Sequence, residues 1–156
     1  MTKGHKTQRA RRRGENPGEI FEFGPTILGM TINEITEGVI GGAIEVHRAL
    51  GPGLLESAYF QCLCRELQIR ELPFLCERSL PVVYKGLRLD CGYRVDLIVA
   101  DAVVVELKTV EQVAPVHGAQ LLTYMRLGGW KAGLLINFNV TFLRDGIHRR
   151  VLGLEE

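Results

Sequence analysis

CGYRVDLIVADAVVVELK, residues 91–108, contains two strand-like apolar runs, Tyr93–Val99 and Val103–Lys108, on either side of a short polar break at Asp101. Each run carries one acid among its Val, Leu and Ile neighbours: Asp96 in the first, Glu106 in the second. Alternation along a strand places Arg94, Asp96 and Ile98 on one face of the first, and Val104, Glu106 and Lys108 on one face of the second. In a hairpin closed around Asp101, facing residues have numbers that sum to 202, so Asp96 meets Glu106 and Arg94 meets Lys108. Side chains opposed in this way have Cβ atoms roughly 4.5–5.5 Å apart. Two carboxylates at that separation repel, and apolar surroundings strengthen the repulsion. A divalent metal held by oxygen ligands relieves it, with Lys108 as a second positive charge close by. A shift of one residue in register would send the acids to opposite faces and dissolve the pair.

With 156 residues, 46% of them hydrophobic, the chain is expected to form one domain with a sizeable core. No apolar run approaches the roughly 18 residues of a membrane-spanning helix. The N-terminus has no apolar segment of the signal-peptide kind, and a cytoplasmic location with no membrane contact is expected. Cys62, Cys64, Cys76 and Cys91 then read as free thiols, and their spacing does not suit a zinc site. The formal net charge of +1 conceals a division. Residues 1–13 hold six basic residues and no acid, leaving 13 basic against 18 acidic residues elsewhere, a net of −5. A mildly acidic body does not by itself advertise nucleic-acid binding.

Residues 1–25 are polar, basic and punctuated by Gly and Pro, a composition that predicts disorder. Such an arm suits phosphate backbones, although composition alone favours a merely solvated tail. A start at Met30 would remove it, and the domain division expected is a tail over 1–29 and a folded domain over 30–156. Thr31 and Glu34 form a capping-box pattern opening a first helix, with Ile32, Ile35, Val39, Ala43, Val46 and Leu50 at helical spacing up to Gly51-Pro52-Gly53. Gly38, Gly41 and Gly42 point to close packing there, and His47 to a packing or hydrogen-bonding role. A second helix is predicted from about Leu54 to Arg70, with Leu55, Ala58, Tyr59, Cys62, Leu63 and Leu67 as its buried stripe. Glu56 borders that stripe. It suits the helix N-terminus electrostatically, and it is also placed to be a third carboxylate aimed at the hairpin.

Glu77–Asp90 reads as a strand pair turning at Lys85-Gly86. After the central hairpin, Pro115 opens a third helix reaching Leu127, on which His117, Gln120 and Tyr124 make one polar stripe and Leu121, Leu122 and Met125 supply core contacts. Lys131–Asn137 reads as a buried strand, then comes a turn at Asp145-Gly146 and a short final strand over Ile147–Leu152. This order predicts an α/β or α+β architecture with helices packed on a mixed β-sheet.

Gly53-Leu54-Leu55-Glu56-Ser57-Ala58-Tyr59 matches the pattern of the GxxExxY protein family, part of the PD-(D/E)XK nuclease superfamily. Asp96 followed by Glu106-Leu107-Lys108 resembles the superfamily's metal-binding signature, and Gln120 with Tyr124 resembles the Q-x-x-x-Y helix motif of its exonuclease-like branch. The resemblance runs from Thr31 to about Val151. It implies a restriction-endonuclease-like core with an extra N-terminal helix, and a metal-dependent nuclease acting on DNA. It also implies roles: Asp96, Glu106 and the Leu107 carbonyl for Mg²⁺ or Mn²⁺, Glu56 as a further carboxylate, Lys108 for the attacking water or the developing charge, and Gln120 and Tyr124 for positioning. The alternatives are a non-catalytic nucleic-acid- or protein-binding module on the same fold, and a structural domain whose acids are met by salt bridges, Arg94 near Lys108 among them. The oligomeric state is left open, a homodimer included.

Overall fold

The Thr31 capping box forms as its sequence requires, and the first long element of the domain begins there. Glu34 N–H donates to the Thr31 hydroxyl at 3.1 Å, and Thr31 N–H donates to the Glu34 carboxylate at 2.8 Å. The computed structural model describes residues 20–21 and 29–153; the rest of the basic arm expected at the N-terminus, and with it most of the proposed 1–29 tail, lies outside the described residues. Its elements are strand β1 (Ile20–Phe21), helices α1 (Ile32–Leu50) and α2 (Glu56–Ile69), strands β2 (Phe74–Ser79), β3 (Val82–Tyr84), β4 (Leu87–Leu89), β5 (Arg94–Val99) and β6 (Val103–Lys108), helix α3 (Pro115–Gly128), strand β7 (Ala132–Asn137), a 3₁₀ turn (Leu143–Gly146) and strand β8 (Ile147–Val151).

The sheet runs β1-β2-β5-β6-β7-β8, with β3 and β4 forming a separate two-stranded ribbon. All neighbours are antiparallel except β6 and β7, which α3 joins as a parallel crossover. A mixed sheet flanked by helices, preceded by an N-terminal helix, is the restriction-endonuclease-like architecture expected from the sequence. Two departures stand out. Ile20 and Phe21, within the stretch read as structureless, pair their backbone with Leu75 and Phe74. Glu77–Ser79 belongs to the main sheet as the end of β2, so the Lys85-Gly86 ribbon is shorter than the span read from Glu77 to Asp90.

The sheet has an apolar cluster on each face. On one face α1 and α2 cover Leu97, Val99, Val103, Val105, Leu107 and Leu134. On the other, Leu121, Tyr124 and Met125 of α3 meet Val95, Ile98, Val104, Leu135 and Trp130. The small residues of α1 let α2 and the loop after it approach closely: a Cβ added at Gly38 would lie 2.7 Å from Leu72 Cδ1, and one at Gly42 would lie 3.2 Å from Glu66 Cβ. His47 is buried, with Nε2 2.8 Å from the Val140 carbonyl, which is the packing role expected of it. The stripe of α2 is rotated from the one read: Tyr59, Phe60, Leu63, Cys64 and Leu67 are buried, Cys62 is half-buried and Leu55 is exposed at the N-cap. None of the four cysteines forms a disulfide.

Candidate active site

The β5–β6 register is Leu97↔Val105, Ile98↔Val104 and Val99↔Val103, with every pair summing to 202 as the hairpin pattern requires. Ala100 and Asp101 form the turn at φ 52 and 51, and Ala102 N–H donates to the Val99 carbonyl at 3.0 Å. The ladder ends at Leu97↔Val105. Beyond it the carboxylates take the place of main-chain partners: Asp96 N–H donates to Glu106 Oε1 at 3.1 Å, and Leu107 N–H donates to Asp96 Oδ2 at 2.9 Å. Asp96 and Glu106 therefore meet in a reciprocal clasp. Arg94, expected opposite Lys108, lies exposed and is registered with Ser79 of β2 on the other side of the strand.

Strict alternation in β5 fails at this point. Val95 and Ile98, three residues apart, both join the α3-side cluster, while Leu97 joins the other. The irregularity continues in β2, where Glu77 stands between the pairs Cys76↔Leu97 and Arg78↔Val95 and has φ 54. A positive φ at a non-glycine residue costs free energy and gathers at functional sites. Here the distortion lies level with Asp96.

Desolvation is the dominant electrostatic influence on both acids. It raises the pKa of Glu106 to about 8, helped by the Asp96 charge and opposed by the Asp96 N–H bond and by Lys108. The same burial raises Asp96, against the Leu107 N–H bond and Lys108, while the Glu77 charge pushes it further up. The two carboxyls also hydrogen-bond each other, lowering Asp96 and raising Glu106, so they titrate as a linked pair. Glu56, exposed at the first position of α2, is raised by desolvation and then by Asp96, and lowered by Lys108. Lys108 thus sits where its charge reaches Glu56, Asp96 and Glu106 together.

The GLLESAY segment explains how Glu56 reaches the rim. Gly53 has φ 100, a turn that an L side chain would strain. The buried Tyr59 hydroxyl donates to the Gly51 carbonyl and accepts from Leu54 N–H at 3.1 Å, and its ring stacks on Phe138 with centroids 4.6 Å apart. Tyr59 clasps the loop from which Glu56 launches α2. The three acids nevertheless do not form a ready-made cage: among the described residues no group of three His, Cys, Asp or Glu is close enough to hold one ion. Only Asp96 and Glu106 converge directly.

On α3 the expected polar stripe divides. His117 Nδ1 accepts from Ala114 N–H at 3.0 Å and caps the helix. Gln120 Nε2 donates to the Tyr124 hydroxyl at 2.9 Å. Tyr124 is buried in the apolar cluster rather than lying on a solvated stripe, and desolvation followed by the Glu106 charge raises its pKa. Gln120 and Tyr124 therefore back the acid pair from α3.

Three contributors were not singled out from the sequence. Glu77 adds a carboxylate beside Asp96. Tyr93 places its ring 6.3 Å from that of Tyr124. Asn137, buried at the end of β7 and registered with Lys108, accepts from Val110 N–H at 3.1 Å and donates to the Val110 carbonyl at 2.8 Å, pinning the backbone just after Lys108. Its sequence signal is one amide closing an otherwise apolar strand, AGLLIN.

No curated protein and no solved structure matches the chain. Residues 33–150 match the family model of the PD-(D/E)XK nuclease superfamily, a span that holds α1, the clasped Asp96 and Glu106, Lys108, and all of α3 and β7. The chain belongs to the PD-(D/E)XK nuclease superfamily.

Proposed function

We propose that this protein is a divalent-metal-dependent nuclease of the GxxExxY type, hydrolysing phosphodiester bonds in DNA. The observation that carries the proposal is the clasp of Asp96 and Glu106 beside Lys108. Two buried carboxyls forced together need a cation or a proton between them, and burial raises both of these above the ordinary carboxylate range. Hard oxygen donors suit Mg²⁺ or Mn²⁺. The Leu107 carbonyl fits the same set: Leu107 N–H points at Asp96, and in a strand the carbonyl of a residue points to the same side as its N–H. Asp96, Glu106 and the Leu107 carbonyl would hold the ion, and Glu56 would complete the carboxylate set from the end of α2. When bound, the ion supplies polarisation of the phosphodiester and a lowered pKa for the attacking water.

The chain's own side chains supply the rest. Lys108 orients that water and faces the negative charge that grows on the phosphoryl oxygens. The Gln120 bond to Tyr124 and the pinning of Val110 by Asn137 hold the far wall in place. Incubation with single- and double-stranded DNA and RNA, in Mg²⁺, Mn²⁺ or EDTA, beside an Asp96→Ala control, tests this function. Metal-dependent cleavage lost in the variant is expected. Cleavage that persists in EDTA or in Asp96→Ala would sink the assignment, and no cleavage with no metal bound would leave a binding module on a nuclease fold.

A further inference from the structure

The β3–β4 ribbon lies outside the main sheet and exposes what most of the chain buries. Its register, Val82↔Leu89 and Tyr84↔Leu87, puts four apolar side chains on one face, with Val83 and Arg88 sharing the other. Tyr84 is 61% exposed, Leu87 58% and Leu89 39%. Lys85 and Gly86 turn the tip at φ 45 and 82, and the Lys85 ammonium lies 5.4 Å from the centre of the Tyr84 ring.

The base of the ribbon, by contrast, is anchored beside the acids. Leu80 is buried in the α3-side cluster and its N–H donates to the Tyr93 carbonyl at 2.8 Å. Tyr93, 44% exposed, tilts against Tyr124, which in turn feels the charge of Glu106. Charge is concentrated here too. Residues 78–94 hold Arg78, Lys85, Arg88 and Arg94 against Asp90 alone, whereas residues 14–156 as a whole carry a net of −5. Asp90 lies 3.5 Å from Arg88 in an exposed pair that neutralises little.

We propose that this ribbon, with Tyr93 and Arg94 at its foot, binds a single strand of nucleic acid and delivers it to the Asp96–Glu106 pair. The inference rests on the nuclease function proposed above and narrows its substrate. Exposed tyrosines flanked by cations match a strand whose bases are free to stack and whose phosphates run alongside. A duplex hides its base faces and would leave Tyr84 and Leu87 unused. A second copy of the chain fits less well. A stable dimer covers about 800 Å² per partner, far more than four side chains offer, and a twofold contact at the ribbon tip would set Lys85 near its own copy.

The test is fluorescence anisotropy on the full chain in EDTA, with a labelled strand of about 20 deoxythymidines and a labelled duplex of similar length. Tyr84→Ala and Tyr93→Ala should each weaken single-strand binding about tenfold, Tyr84→Trp should restore it, and Lys85→Gln should lower the slope of log affinity against log salt by about 0.7. An unchanged unfolding midpoint for Tyr84→Ala keeps misfolding out of the comparison. Variants that bind the strand as the parent does would overturn the proposal. So would equal losses on duplex and single strand, or a Tyr84→Ala change that converts a dimer to a monomer in sedimentation. Because binding is read in EDTA, the two functions separate. Tyr84-dependent binding without Mg²⁺-dependent cleavage would uphold the ribbon site and end the nuclease assignment.

Discussion

Two hairpins stand next to each other in this chain, β3–β4 and β5–β6, and both turn on a pair of residues at positive φ. In the outer ribbon the pair includes Gly86, which adopts φ 82 without steric cost. In the inner hairpin it is Ala100-Asp101, with no glycine, at an expense of roughly 1–2 kcal/mol per residue. The inner turn tolerates this because its strands are buried on both faces and the surrounding packing over-determines the conformation. The same contrast governs their polar groups. The outer ribbon presents cations and tyrosines to solvent, while the inner one confines two carboxyls whose charges burial disfavours. Local turn geometry is shared; burial decides which hairpin can do chemistry.

The largest expected effect lies in the inner hairpin. Asp96→Ala or Glu106→Ala should lower the cleavage rate by on the order of 10³-fold, and Lys108→Ala by about 10²–10³-fold, read as single-turnover rates on DNA in Mg²⁺. If Lys108→Ala cleaves at the parent rate, the charge reaching all three acids serves only stability.

Next comes stability against pH. Glu106 titrates near 8 in the folded protein against an ordinary 4.5, so folding favours its protonated form. Its contribution is fully present below pH 4.5 and is lost as pH rises through about 8, and the raised Asp96 acts with the same sign. Metal-free protein should therefore lose stability across that window, and Mg²⁺ should restore it at the alkaline end. Glu106→Gln keeps an oxygen for the Asp96 N–H and removes the charge. In EDTA at pH 8 it should raise the unfolding midpoint by several degrees, about 1–3 kcal/mol, while abolishing cleavage. A midpoint that falls instead would show the pair to be a stabilising element and not a strained one.

A smaller effect is expected where the chain positions Glu56. Tyr59→Phe keeps the stack on Phe138 and deletes the hydroxyl shared by Gly51 and Leu54, costing about 0.5–1.5 kcal/mol in denaturant melts. The smallest belongs to the outer ribbon. Gly86→Ala strains the tip by about 1 kcal/mol. That loss should appear as faster proteolysis at Lys85 with little movement of the global midpoint, since the ribbon opens on its own. Equal movement of both would mean that the two hairpins unfold as one.

Much of this was legible because it is local. The capping box at Thr31 and Glu34, the pairing around Asp101, Pro115 at the start of α3 and the Lys85-Gly86 turn each depend on residues a few positions apart. Less local features escaped. Phe74–Cys76 shows no polar alternation to mark it as a strand, because Phe74 and Cys76 join the core under α1 and α2 while Leu75 packs against the α3-side cluster. Leu55 looks like a core residue in a helical pattern, yet the turn at Gly53 makes it an N-cap facing solvent. Tyr124 looks like one member of a polar stripe until the α3-side cluster, Trp130 and Val95 included, takes it in.

What the sequence by itself determined is the hairpin centred on Asp101, whose pairing of Leu97 with Val105, Ile98 with Val104 and Val99 with Val103 brings both acids to the same end of the two strands. What only the tertiary structure decided is the state of that pair. Burial between two helical layers, the break in β5 opposite Glu77, and the convergence of Lys108 and the end of α2 turn two facing acids into a buried clasp with both carboxyl pKa values raised. Desolvation and long-range charge depend on what lies around a residue in space, and no spacing along the chain records it.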